Sequence, residues 1–555
     1  MSSSEASEHA ELRDETEAEP RDAGGGRGHR FGVWGLVVAL VAAVPVAVVL
    51  LPVQLVVMDG GLHLSSSVAL RAVVAGRWPE LLTWRPGLPP NLTVELLLAA
   101  VSNHMDPDVA IRSVVILGLV GFAVAAVVLV RAAGAPTWTA LLVLPLQMNA
   151  MVMVGLLGFV LAVTPALVAV AAVLRRPDRF STAGVTALLV LTWLTHLVAG
   201  LAGLVGVVAV VLLHEVGRPG GFARALRRLA VPLGVIVALT LVFFLAGGTD
   251  GARGVALFGG GLDVLELRTP LVALAQPEYV LVRLLSVVLY GAAAVLLVLR
   301  WRRGLRRPVA ADGLLLAAVV LGLAAVVAPD RIGSTSYVAG RLSIFLPIFL
   351  GAWVASAWEL FPDRLPRRLV AVAAALAAVV AVGIPLARIT TMESFGRDLA
   401  ETRTLTPCAP GNSTIAQFSV DGGQERAKRL TPTVDLSGYL AVEQHLLDLR
   451  NVSGSASYYV WALTPAARPV PALAGVDEAL DATPPEVTLG AAVEHGYPLQ
   501  TVVVYGRRDA SPDALAEPVW QRTQADLARD FRRVAVTPTG LAELWVRDGV
   551  PSPCG

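Results

Sequence analysis

Asp59 and His63 stand four residues apart in the stretch MDGGLHLSSS, directly after a 27-residue apolar run from Phe31 to Val57. At that spacing a carboxylate and an imidazole fall on one face of a helix. Together they offer a general base, a proton carrier and, through the carboxylate, a ligand for a divalent cation. Gly60 and Gly61 permit close backbone approach beside the carboxylate. His196 closes LTWLTH and Asn149 follows LPLQM, so both polar groups end apolar runs on the side that Asp59 faces. Arg331 and Arg341 flank the STSYVAG stretch, and a guanidinium can hold phosphate oxygens bidentately. Such a set suits proton abstraction from a hydroxyl next to a phosphate-bearing group. Each member also has a plain alternative, as a helix end in water, a cap or a snorkelling arginine.

The elements that must position these residues are membrane helices. Of 555 residues, 55% are hydrophobic and 16% charged, far from the composition of a soluble domain. Apolar runs of about 20 residues match the hydrocarbon core, and the alternation of a membrane β-barrel is absent. The hydropathy predicts about eleven spans, near 31–57, 109–130, 137–150, 153–174, 182–195, 197–213, 229–246, 279–299, 312–328, 341–358 and 369–387. The basic clusters RRPDR at 175–179, Arg218 to Arg228, RWRRGLRR at 300–307 and DRLPRR at 363–368 then share one side, which the positive-inside rule makes cytoplasmic. Asp59, the first loop 58–108 and everything after Arg388 become extracytoplasmic, and the N-terminus cytoplasmic. Within that loop, Leu64 to Val74 reads as an amphipathic helix lying along the interface, followed by a second short apolar helix at 92–102.

Residues 1–30 are acidic and then Gly/Arg-rich, the composition of a disordered tail. Residues 31–388 form the helical membrane bundle. Residues 389–555 alternate polar and apolar segments and predict a small α/β domain. Its expected strands are 457–463, 501–506 and 541–547, and its expected helices lie in SGYLAVEQHLLDLR and LAEPVWQRTQADLARDFRR. Cys408 and Cys554, the only cysteines, flank that domain, and on an oxidising side they predict a disulfide that stabilises it by roughly 4 to 5 kcal/mol.

Several classes lack support. With a net charge of +1 and basic residues confined to short clusters, no nucleic-acid partner is expected. The chain carries no Walker A loop, no GxSxG elbow and no HExxH helix, which removes motif support for ATP-driven transport, serine hydrolysis and metalloproteolysis. The predicted spans carry no ionisable residue near their centres, unlike most ion-coupled carriers.

The stretches MDGGLH, WRPGLPPNL, DPDVAIR, LPLQMNAMVMVGLLGFVLAV, LTWLTH, AGRLSIFLPIF and GYLAVEQHLLDLRN resemble the C-type glycosyltransferases, especially actinobacterial members. That resemblance implies a multi-pass enzyme of the plasma membrane. It would move a sugar from a polyprenyl-phosphate donor to an envelope glycan, lipid or protein acceptor outside the cytoplasm, with membrane lipid as its surroundings. It implies Asp59 as the first-loop acidic residue that acts as catalytic base or helps organise the metal and acceptor, His63 and His196 as cavity residues, and Arg341 as a lipid-phosphate contact. The chain departs from the pattern in lacking a second aspartate beside Asp59, so a divalent cation, Mg2+ or Mn2+, stays an open cofactor. Two other classes remain: a carrier or flippase for a lipid-linked saccharide, and a non-catalytic envelope-assembly protein. Convergence of Asp59, His63, His196 and Arg341 on one place would separate the enzyme from the last of these.

Overall fold

The computed structural model describes residues 30–85, 89–245, 265–271, 276–304, 308–329, 337–361, 363–420, 435–449, 461–467, 489–494 and 496–554. The acidic tail, Arg331 and the first part of the expected strand 457–463 lie outside them. Among the described residues, eight helices are long and apolar enough to cross a membrane, from Gly32–Leu50 to Arg364–Cys408, so the protein is a membrane protein. Shorter apolar helices Thr182–Thr195 and Asp312–Val327 are packed among them.

The expected span 137–150 is not a regular helix. It consists of 3-10 turns Thr137–Leu142 and Leu144–Leu146, followed by the short helix Ala150–Val154. Pro136 and Pro145 lack the N–H a continuous helix needs, and Gly155 ends the last turn at φ +81°. The segment still runs the depth of the bundle. At one end Trp138 lies tilted against Trp34 (6.0 Å) and edge-on to Trp358 (5.1 Å). At the other, the Met153 and Val154 carbonyls accept from the N–H groups of Met58 (3.0 Å) and Asp59 (2.9 Å). Irregular backbone at this depth is tolerated because protein surrounds it: every residue from Thr139 to Val154 is buried.

The bundle therefore has an Asp59 end and an arginine end. At the latter, clusters from different loops are laced together, Arg218 to Asp178 at 2.9 Å, Arg228 to the Pro177 carbonyl at 2.6 Å, and Arg303 to Asp363. The last helix, Arg364–Thr402, extends well past the expected boundary at 388 and carries straight into the C-terminal region. Arg388, expected at a span end, is instead fully buried in mid-helix. Its guanidinium donates to Glu278 (2.9 Å) and to the carbonyls of Met148 and Leu271 (both 2.6 Å). A charge so buried persists only with such a complete partner set.

The C-terminal region is built on a mixed five-stranded sheet. Its order is Leu447–Asp448, Thr414–Ser419, Thr501–Tyr505, Ala542–Arg547, Phe531–Val536. Two expected helices stop early. Ser437–Gln444 ends at His445, whose φ of 54° breaks the helix, and the chain enters a strand at Leu447. Pro518–Asp530 gives way at Phe531, where FRRVAV takes up strand alternation. Cys408 and Cys554 lie at disulfide distance, with Cα atoms 5.0 Å apart.

This region is docked on the first loop. Helix Gly60–Val74, expected along the interface, is buried around most of its circumference between Leu92–Val101 and Ser437–Gln444. Glycine makes the contact possible. A Cβ on Gly61 would stand 1.6 Å from the Asp435 carbonyl oxygen, and one on Gly438 would stand 1.9 Å from the Gly61 oxygen. Leu82–Trp84 also pairs antiparallel with Trp461–Leu463, so a strand of the first loop joins a strand of the tail.

Candidate functional site

Asp59 precedes helix Gly60–Val74, yet its carboxylate makes no capping hydrogen bond to it. The backbone is clamped instead by the hairpin contact to Val154, and Gly155 makes this contact possible: a Cβ there would stand 2.7 Å from the Asp59 nitrogen. The carboxylate is half-buried. Desolvation pushes its pKa up to about 6, against the opposing pull of the His63 and Arg341 charges.

His63, one helical turn on, is held at both ring nitrogens. Its Nε2 lies 3.1 Å from the Gly155 carbonyl, and its Nδ1 lies 2.9 Å from Glu95 Oε1. A carbonyl only accepts, so Nε2 carries a hydrogen, and one further proton is shared between Nδ1 and the Glu95 carboxyl. Burial works against the imidazolium, but the hydrogen bond and charge of Glu95, with the charge of Asp59, outweigh it and raise the His63 pKa.

Sequence reasoning missed Glu95. The signal was available: it is a lone carboxylate in the apolar helix LTVELLLAAV, where an acid is rarely buried without a partner. Its second oxygen, Oε2, is buried and has no hydrogen-bond partner among the described residues. The same is true of Asn91 Oδ1 and His196 Nδ1. Asn91 and His196 both flank Gly158, where a Cβ would stand 3.7 Å from Asn91 Oδ1 and 3.9 Å from His196 Cδ2. Each such orphan costs about 1–3 kcal/mol, a cost that a polar ligand would relieve.

His196 stands edge-on to Phe159 (5.2 Å), which in turn meets Phe345 (6.0 Å) on the helix following Arg341. Arg341 is buried in Val338–Ser343, and its charge acts on both Asp59 and His196. The fold thus brings Asp59, His63, His196 and Arg341 to one end of the bundle. Asn149 is used differently: its Oδ1 accepts from Met151 N (2.9 Å) and its Nδ2 donates to the Leu146 carbonyl (3.0 Å), which fixes the turn supporting Val154.

The donor set is a poor fit for a resident divalent cation. Both His63 nitrogens are engaged, and a guanidinium supplies positive charge where a metal would. The one cluster of metal-ligand type among the described residues, Asp178, His214 and Glu215, lies at the arginine end and is already paired with Arg218, Arg224 and Arg228. No protein-family model matches the chain, and no curated protein is significantly similar to it.

Proposed function

We propose that the protein is an integral membrane glycosyltransferase that uses a polyprenyl-phosphate sugar at the Asp59 end of the bundle. What carries this reading is the gathering, at one end of the bundle, of the Asp59 carboxylate, a buried guanidinium whose charge reaches it, and three unpartnered buried polar atoms, one of them on the Glu95 that grips His63. The resemblance of the surrounding stretches to C-type glycosyltransferases points the same way. The arginine end, by the positive-inside rule, is cytoplasmic, and the site and tail then lie outside the cytoplasm.

In this mechanism the Asp59 carboxylate takes the proton of an acceptor hydroxyl as its oxygen attacks the anomeric carbon. The bond from that carbon to the phosphate oxygen breaks, and polyprenyl phosphate departs with inversion at the anomeric centre. Arg341 stabilises the charge that develops on the leaving phosphate. The His63–Glu95 pair positions the helix that begins at Asp59 and sets the local field; no step requires a metal.

Transfer of radiolabelled sugar from polyprenyl-phosphate donors in membranes tests the reading. Asp59→Asn is expected to lower transfer by at least about a hundredfold, the lower range for loss of a general base. An Asp59→Asn protein of near-normal activity, expressed and folded as the parent is, would sink the assignment.

A further inference from the structure

A second cluster of cations lies farther along the same helix, where the first loop meets the tail. Arg71 is on helix Gly60–Val74, about 17 Å from Gly60 along the helix axis. Its Nη1 donates to Ser102 Oγ at 2.7 Å and, more weakly, to the Ala99 carbonyl at 3.4 Å. Both are neutral acceptors, and Nη2 is buried without a hydrogen-bond partner among the described residues. Arg77 follows in the next turn of chain, its guanidinium 5.5 Å above the Trp78 ring and its Nε likewise buried and unpartnered. From the tail, exposed His445 completes the group. The Arg77 N–H donates to the Ala72 carbonyl (2.8 Å), beside Arg71, and His445 ends the helix Ser437–Gln444 that packs on Gly60–Val74; at this seam the Arg77 charge opposes that of Arg71, and both oppose protonation of His445.

No carboxylate pairs with Arg71 or Arg77 among the described residues. Of the acids near His445 in the chain, Glu443 pairs with Arg403 and Asp448 accepts from Ser437. Gathering like charges with unsatisfied donors at a seam is unfavourable unless an anion fills it. A guanidinium fork matches the oxygens of a tetrahedral phosphate, and a monoester or a diester alike offers non-bridging oxygens to both arginines.

We infer that the seam formed by Arg71, Arg77, His445 and Ser102 is a binding site for a phosphate group, separate from the Asp59 site. Its two sources are a phospholipid headgroup and a soluble phosphate ester, such as one on a phosphorylated glycan. The inference stands apart from the transferase reading, because binding is measured without turnover.

The full chain, purified in zwitterionic detergent, is heated with increasing inorganic phosphate at ionic strength held constant with sodium chloride. A ligand that binds only the folded state raises the melting temperature saturably. The rise is expected in the parent, in Arg341→Gln and in a chain carrying Arg71→Lys with Arg77→Lys. In Arg71→Gln with Arg77→Gln, the phosphate concentration giving half the rise increases at least about tenfold. No rise in the parent, or an equal rise with chloride, overturns the site. So does a rise lost in Arg341→Gln and kept in the double glutamine variant, which would move the anion to the Asp59 end. Nanodiscs distinguish the sources. A phosphate-dependent rise in digalactosyldiacylglycerol, whose headgroup carries no phosphate, that disappears in phosphatidylglycerol identifies the lipid headgroup, and a rise in both identifies the soluble ester. No rise in either bilayer overturns the site in a membrane.

Discussion

Asp59 illustrates how a single carboxylate is kept ready at the expense of stability. Its folded-state pKa of about 6 lies above the ordinary 3.8, so the fold prefers the protonated form. The stability this preference contributes is fully present below about pH 4 and is lost as pH rises through 6. Asp59→Asn, neutral throughout, is therefore expected to melt higher than the parent at pH 8 and at nearly the same temperature at pH 4. Melting curves at the two pH values check this, and equal curves at pH 8 would show that burial does not strain the carboxylate. The transfer reaction should carry the opposite sign, rising with pH through about 6 as the base form is populated. The sequence made Asp59 and His63 legible by their spacing, yet concealed Glu95, which reaches His63 across 32 residues of chain.

At the scale of elements, two glycines decide whether the first loop and the tail form one body. Gly61 and Gly438 let helices Gly60–Val74 and Ser437–Gln444 touch backbone to backbone. Gly61→Ala places a methyl 1.6 Å from the Asp435 carbonyl oxygen, which only a backbone shift in the turn leading into Ser437–Gln444 can relieve. The expected cost is about 3 kcal/mol, the upper range for overpacking. Limited proteolysis in detergent should then cleave the tail from the bundle faster than in the parent. Gly234→Ala, which meets nothing within 4 Å, is the neutral control. The amphipathic pattern of 64–74 was readable, but what covers its apolar face was not. An apolar face packs equally well on lipid or on protein, and only the presence of the tail decides between them.

For the whole molecule, the long helix Arg364–Thr402 and the Cys408–Cys554 pair tie the tail to the membrane bundle at its root. The pair closes a loop of 146 residues, whose chain-entropy contribution is about 5 kcal/mol. Replacing both cysteines by serine should lower the unfolding midpoint of the tail. Adding reductant to the parent should give the same shift and leave the serine variant unchanged. Calorimetry with and without reductant reads both, and a parent insensitive to reductant would show that the bond contributes nothing. The buried Glu278–Arg388 pair adds a tie inside the bundle, joining the last helix to Met148 and Leu271.

By itself the sequence determined the membrane class, the course of most of the long apolar helices, the side on which arginines gather and two strands of the tail's five-stranded sheet, Thr501–Tyr505 and Ala542–Arg547. These are local properties: hydrophobic run length, charge clustering and side-chain period are all carried by neighbouring residues. Only the tertiary structure decided that Glu95 grips His63, that Arg388 is buried with Glu278, that the tail roofs the first loop, and that Arg71, Arg77 and His445 share one seam. Such pairings span from tens to hundreds of residues, and nothing in a local pattern encodes which distant group will fill a buried partner's valence. Packing does that, because an unpaired charge or donor inside the protein is too costly to leave alone.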